Sequence, residues 1–239
     1  EETRVLPVMH GVPLHYAASV IPIGARAVEL EMKRLLAGAW RNSGLSDDLL
    51  EDHAGAIVSA ACRVQARGAN TSGDAAAKGD AAVYRCAGKD VRIDAEWRTM
   101  PCEVLFGYKN RGGEEELHGV VEHSLMTAVA TTLARLNIDS RLVVENIVLS
   151  GGMACVPGFS KRVQEELVFL ASRLKRGNSI GSLQCLARAR IIRVPFPPRI
   201  VSWCGASLVG SVETLRELSL SRQQWREDGM RLVDRSALA

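Results

Sequence analysis

The stretch from Asn146 to Gly158, NIVLSGGMACVPG, constrains this chain more than any other. Residues suited to a buried strand run into two consecutive glycines, and Pro157-Gly158 then introduces an amphipathic stretch that continues to Leu174. Paired glycines permit a sharp turn and a close backbone approach, and a helix that follows offers unpaired N–H groups to an anion. Strand, glycine turn and helix together form the unit from which α/β folds are built. Taken alone, such a turn serves packing more often than phosphate binding, because glycine is among the strongest punctuators of a chain.

Elsewhere the patterning alternates between short extended runs and helical periods. Val5 to Val8 and Val12 to Tyr16 flank His10-Gly11, which predicts a hairpin, and a third extended run, Ala18 to Ile23, stops at Gly24. From Ala25 the apolar residues Val28, Met32 and Leu35 recur at helical steps beside Glu29, Lys33 and Arg34. Ser46 is a predicted N-cap, with Asp47 and Asp48 in the first turn of a helix reaching about Cys62. Gln65 to Gly79 lacks any period and reads as a loop, whereas Val83 to Cys86 and Asp90 to Ile93 around Ala87-Gly88 predict a second hairpin. Pro101 is expected to open a segment that closes at Arg111-Gly112-Gly113 and a solvated run, Glu114 to Glu116. A helix is predicted from Val120 to Leu136 on the stripe Val121, Leu125, Val129 and Leu133. Ile191 to Val194 reads as a strand ended by Pro195 to Pro198, and a last helix runs from near Trp203 to about Leu218, before a charged tail.

Composition excludes several classes. With 47% hydrophobic residues in 239, the chain has material for a real core. Its 30 Lys and Arg against 27 Asp and Glu are interspersed, so no direct nucleic-acid surface is expected. No apolar run approaches the roughly 20 residues that span a bilayer, and a soluble protein without membrane insertion is expected. Six cysteines stand singly with no zinc spacing, and His118 and His123 lie five apart; the expectation is reduced thiols and no metal. Trp40, Trp97, Trp203 and Trp225 are expected to pack in cores or grooves. Residue 1 is Glu rather than Met, and the sequence is expected to begin inside a longer chain.

The order and spacing of Ser150, Gly151, Gly152, Pro157 and Gly158 resemble the adenosine-site motif of the actin family. The resemblance extends upstream through VLPVMHGVPLHYA and IGARAVELEMKRLL, with Pro7, Gly11, Gly24, Met32 and Lys33 in register. Downstream it continues through Pro197 to Ser207 and the tail from Ser219 to Gly229. It implies the second half of an actin-like α/β fold of the ribonuclease H-like ATPase superfamily. Residues 1–23 and 101–200 are then a βαβ-type domain like the family's third subdomain. Residues 24–100 are a smaller inserted α+β domain like the fourth, and 201–239 return to the first.

The resemblance also implies candidate nucleotide contacts at Gly24, Gly151, Gly152, Met153, Val156 and Arg199. The residues themselves do not name the cofactor; the family's ligands there are ATP and ADP, with the other wall supplied by an N-terminal half. Several positions depart from an ATPase. The family's water-positioning histidine falls at Arg4, permanently charged and unable to accept a proton. Its basic and acidic adenosine contacts fall near Gly55, Val58 and Ser59, and an aromatic position is Val156. Two residues are absent between Pro198 and Trp203, which removes a lysine that Arg199 stands in for. The expectation is a degenerate nucleotide site, not an enzyme, with no catalytic residue and no metal ligand.

Within the family, RVLPVMHGVPL, the Leu174 to Arg190 connection and the short Pro197 to Trp203 link look nearest to the actin-related subunit at the pointed end of the dynactin complex. This implies a structural, cytoplasmic, cytoskeletal protein that caps a filament at its pointed end. Its partners are then actin-like protomers and accessory subunits of a large complex. The alternatives are an ATP-binding relative with slow hydrolysis, and a nuclear actin-related subunit of a chromatin-remodelling complex.

Overall fold

The computed structural model describes residues 2–68, 81–107, 124–176, 181–212 and 219–227. Outside them lie most of the Gln65 to Gly79 loop, the Arg111 to Glu116 turn, Val120 and Val121 of the predicted helix, part of the connection around Arg176 to Ser182, the predicted helix end at Leu218 and the close of the tail.

The chain opens with β1 (Thr3–Val5), β2 (Val8–Met9), β3 (Val12–Pro13) and β4 (Ser19–Ile21). β2 and β3 pair antiparallel around His10 and Gly11, whose φ values of 52° and 84° form the left-handed two-residue turn that matches strand twist. β1 pairs antiparallel with β4 in the register Thr3 to Ile21, Arg4 to Val20 and Val5 to Ser19. A turn of 3₁₀ helix at His15–Ala17 separates the two pairings, so the predicted Val12 to Tyr16 strand ends early.

Helix α1 (Ala25–Asn42) starts at Gly24 and buries Val28, Met32, Leu36 and Trp40 at steps of four. The stripe therefore runs through Leu36, and Leu35 sits half-buried at its flank. Helix α2 (Asp47–Ala61) is capped by Ser46, whose side chain accepts from the Leu49 N–H, and it lays Leu50, Ala54, Ile57, Val58 and Ala61 against α1. The indole N–H of Trp40 donates to the Ser46 carbonyl at 2.9 Å, which ties the end of α1 to the start of α2. The hairpin of β5 (Ala82–Cys86) and β6 (Lys89–Ile93) turns at Ala87 and Gly88 and contributes Cys86, Val91 and Ile93 to the same core.

A helix that the pattern did not reveal, α3 (Ala95–Glu103), follows. Pro101 lies inside it rather than opening a new segment. Proline there forfeits one backbone bond, and its burial, under 2% exposed, is the compensation. Helix α4 (Leu125–Arg135) is capped by Ser124 and buries Met126, Ala128, Thr132 and Leu133, leaving Leu125 and Val129 half-buried. The Asn146 to Ser150 run is not a full strand: Ile147 makes one parallel bridge to Ile191, and Asn146 and Val148 to Ser150 have no ladder partner among the described residues. The predicted Ile191 to Val194 strand reduces to the same bridge.

Gly152–Cys155 form a 3₁₀ turn, and α5 (Phe159–Arg176) follows Pro157-Gly158. Val163, Leu167 and Ala171 of α5 are buried. The C-terminal part holds a 3₁₀ turn at Pro198–Ile200, α6 (Val201–Gly210) and α7 (Arg222–Glu227). None of the ten residues of α6 is buried, and Trp203 is 71% exposed, against the expectation that it packs.

Candidate functional site

A cavity of about 1000 Å³ opens beside the N-terminus of α1. One wall is the chain from Thr3 to His10, and the other runs from Asn146 through Ser150, Gly151 and Gly152 to Ala154; α4 closes the floor with Leu125, Val129 and Leu133. Gly24 and Ala25 stand at one end. Of the candidate contacts, the structure thus gathers Gly24, Gly151, Gly152 and Met153 around one space. Val156 is buried and lines a separate shallow hollow with Gly158 and Gln164, and exposed Arg199 borders neither cavity.

The two glycines of the turn have different grounds. Gly151 has φ +102°, a conformation that disfavours any side chain, and its N–H donates to the Pro198 carbonyl at 2.9 Å. Gly152 lies in the 3₁₀ turn, and a Cβ there would meet nothing within 4 Å. Nothing among the described residues forces glycine at that position, so the bare backbone is available for close approach from outside. Ser150 spends its hydroxyl on Ser202, with the two oxygens 2.9 Å apart, which fastens the turn to the start of α6.

Electrostatically the cavity is sparse. Among the described residues, the Asp, Glu, Lys or Arg side chains that line it are Glu2 and Arg4, and these pair with each other. Arg4 is thus a paired cation. Helix α1 supplies the positive end of its dipole at Gly24, with no acidic residue in its first turn and no side-chain cap. Of the altered adenosine positions, Val58 is in the core of α2, while Gly55 and Ser59 are exposed. Among the described residues no group of three or more His, Cys, Asp or Glu converges as a metal site.

A second cluster escaped the sequence reading. Arg162, 3% exposed on the buried side of α5, donates through Nε to Glu166 at 2.8 Å and through both terminal nitrogens to Glu103 of α3 at 3.2 and 3.0 Å. It also holds the Gln65 carbonyl at 3.0 Å and lies 4.8 Å over the Phe106 ring. Arg67 completes the group, reaching Glu166 at 3.1 Å and stacking 3.1 Å over Phe169. Burial raises the Glu103 carboxyl above its ordinary 4.5, opposed by the attraction of Arg162. The Arg162 to Glu166 step of four was visible in the sequence; that both face inward was not, because the same spacing usually marks an exposed pair.

The family model described as Actin matches residues 58–237. Actin-related protein 2 of Arabidopsis thaliana is 30% identical over 158 residues, 64% of this chain and 37% of its own length. Actin-related protein 2 of Oryza sativa subsp. indica is 34% identical over 149 residues, 60% of this chain and 35% of its own. Actin-related protein 4 of Yarrowia lipolytica is 31% identical over 106 residues, 44% of this chain and 22% of its own. The chain belongs to the actin family, within reach of its actin-related branches, and the matches span about a third or less of those relatives' length.

Proposed function

We propose that this chain is a structural actin-related subunit that binds actin-like protomers and accessory proteins of a cytoskeletal complex, capping the pointed end of a filament as in dynactin. The observation that carries the reading is the pairing of Arg4 with Glu2 in a cavity that has, among the described residues, no other Asp, Glu, Lys or Arg on its walls. Water attack on a phosphoanhydride needs a group to orient the water and charge to stabilise the transition state. An ion pair closed on itself supplies neither. The exposed apolar face of α6, with Trp203, Leu208 and Val209, supports a role in which partner surface is what matters.

Nucleotide binding without turnover is compatible with this role, since the α1 N-terminus and the open backbone at Gly152 are both suited to a phosphate. The domain division at residues 24 and 100 and the return after 200 belong to the same proposal. The test uses the 239-residue chain with actin filaments whose barbed ends are blocked. Slowed pointed-end elongation at substoichiometric chain, with no ATP turnover above buffer, is the expected result. Unchanged elongation with no co-sedimentation overturns the structural reading, and measurable ATP turnover lost in Gly152→Trp favours an enzyme.

A further inference from the structure

Two of the six cysteines meet in the core. Helix α2 ends at Cys62, and the chain just there is fastened to α3. The Arg63 N–H donates to the Arg98 carbonyl at 2.9 Å, and the Arg98 Nε donates to the Ala61 carbonyl at 2.9 Å. Cys62 stands between these two ties. Cys102 lies four residues after Arg98, one turn further along the same side of α3. Its thiol is in hydrogen-bond contact with the Cys62 sulfur, and both residues are buried, Cys62 at 3% and Cys102 at 0% exposed.

The two sulfurs are not equivalent. Contact with Cys62, and burial after it, push the Cys102 thiol up from its ordinary value, and the Glu103 carboxylate adds to both. Cys102 therefore holds its proton as the donor of the pair, and Cys62 is the sulfur left to attack. Cys62 also sits at a helix end, where local opening is easiest, whereas Cys102 is inside α3. A hydroperoxide as small as hydrogen peroxide needs little more room than water to reach it.

We propose that Cys62 and Cys102 are an oxidative modification site, a dithiol that hydrogen peroxide converts to a disulfide joining the end of α2 to α3. The Cys62 sulfur, as thiolate, attacks one peroxide oxygen; the O–O bond breaks, the leaving oxygen takes a proton to become water, and Cys62 becomes a sulfenic acid. The Cys102 sulfur then attacks the Cys62 sulfur, the S–O bond breaks, and the departing hydroxide leaves as water with the Cys102 proton. The two thiols are oxidised by two electrons, and the peroxide is reduced to two molecules of water. The loop so closed, residues 62–102, contains the whole β5–β6 hairpin, and the bond restricts the unfolded chain. Neither cysteine lines the large cavity, and the site does not depend on filament capping.

The test takes the reduced 239-residue chain, alkylates its exposed thiols with iodoacetamide under native conditions, removes the reagent and adds hydrogen peroxide. Peptide mapping by mass spectrometry is expected to find Cys62 cross-linked to Cys102 in most molecules, with the exposed Cys155 carrying the alkyl group. Peroxide added to the unblocked chain in concentrated urea is expected to give that cross-link in at least about threefold lower yield, because all six cysteines then compete as partners. The oxidised chain is expected to unfold at a higher urea midpoint than the reduced one, and a dithiol reductant to reverse the shift. In Cys102→Ala, Cys62 is expected to stop at the sulfenic acid and to be labelled by dimedone, whereas Cys62→Ala leaves Cys102 unlabelled. Peroxide that leaves both thiols of the folded parent chain reduced, or joins either to another cysteine, overturns the proposal. Sulfinic acid at Cys62 without the cross-link overturns it as well, and a lowered midpoint after oxidation overturns the stabilising role of the bond.

Discussion

Gly158 and Val64 are in backbone contact across two segments 94 positions apart in sequence: the Val64 N–H donates to the Pro157 carbonyl at 2.8 Å, and a Cβ on Gly158 would stand 2.1 Å from the Val64 carbonyl oxygen. This contact locks the start of α5 to the chain leaving α2. Gly158 also has φ +86°, so a side chain there is opposed by its own backbone and by its neighbour. Gly158→Ala is expected to cost at least about 2 kcal/mol, read as a drop in the urea midpoint. Gly152→Ala is the control, with an expected change within about 0.5 kcal/mol, because its Cβ enters open space.

Arg162 is a cation that two acidic side chains from different helices share. Removing it leaves Glu103 and Glu166 facing each other, with the Arg67 guanidinium on Glu166. Arg162→Met is therefore expected to destabilise by about 3 to 5 kcal/mol, the usual cost of orphaning a buried charge. A loss under 1 kcal/mol in denaturant unfolding would show that water reaches the cluster.

Glu103 gives the cluster a pH signature. Its carboxyl is raised in the folded chain, first by burial, with Glu166 adding repulsion and Arg162 opposing both. Between the ordinary value of 4.5 and the higher folded one the native state holds more protons than the unfolded state, so this group's contribution to stability falls as pH rises. Glu103→Gln removes that slope. The variant is expected to match the parent near pH 4 and to exceed it increasingly toward pH 7 in thermal unfolding. A variant weaker than the parent at pH 7, with the gap closing on acidification, would mean that the Arg162 attraction outweighs burial.

How far the sequence carried depended on whether the signal was local. Both hairpins, the Ser46 cap and the starts of α1 and α5 follow from residues within a few positions of one another, and each is where the pattern placed it. α3 was hidden because a proline sits in its interior, where only burial against distant segments makes it tolerable. The Asn146–Ser150 strand was overdrawn, since apolar residues make a strand only where neighbours pair with them, and Ile147 alone finds one. At the site, Gly24, Gly151 and Gly152 line one space, and of the three Gly151 alone has the positive φ that calls for glycine. Val156 and Arg199 fall elsewhere because side-chain direction depends on packing that spacing does not encode.

Trp203 separates surface from core. Its exposure and the lack of any buried residue on α6 mean that the fold gains little from it. Trp203→Ser is expected to leave unfolding within about 0.5 kcal/mol of the parent and to weaken binding to actin-like partners at least tenfold, since tryptophans dominate interface energies. Co-sedimentation with filaments reads the second quantity. Unchanged partner affinity would move the interface away from α6.

Ala87 carries strain that the fold does not need. It sits at φ 47° in the turn between β5 and β6, next to Gly88 at φ 77°, and both central positions of such a turn favour glycine or asparagine. Alanine in left-handed backbone costs about 1 kcal/mol, whereas asparagine is tolerated there through local hydrogen bonding. Ala87→Asn is thus expected to raise stability by about 0.5 to 1 kcal/mol, seen as a higher unfolding midpoint with an unchanged denaturant slope. Ala87→Val, branched at Cβ, is expected to lower it by more than that gain. If the two variants shift the midpoint in the same direction, the left-handed turn at Ala87 is wrong, because only a positive φ makes their effects opposite.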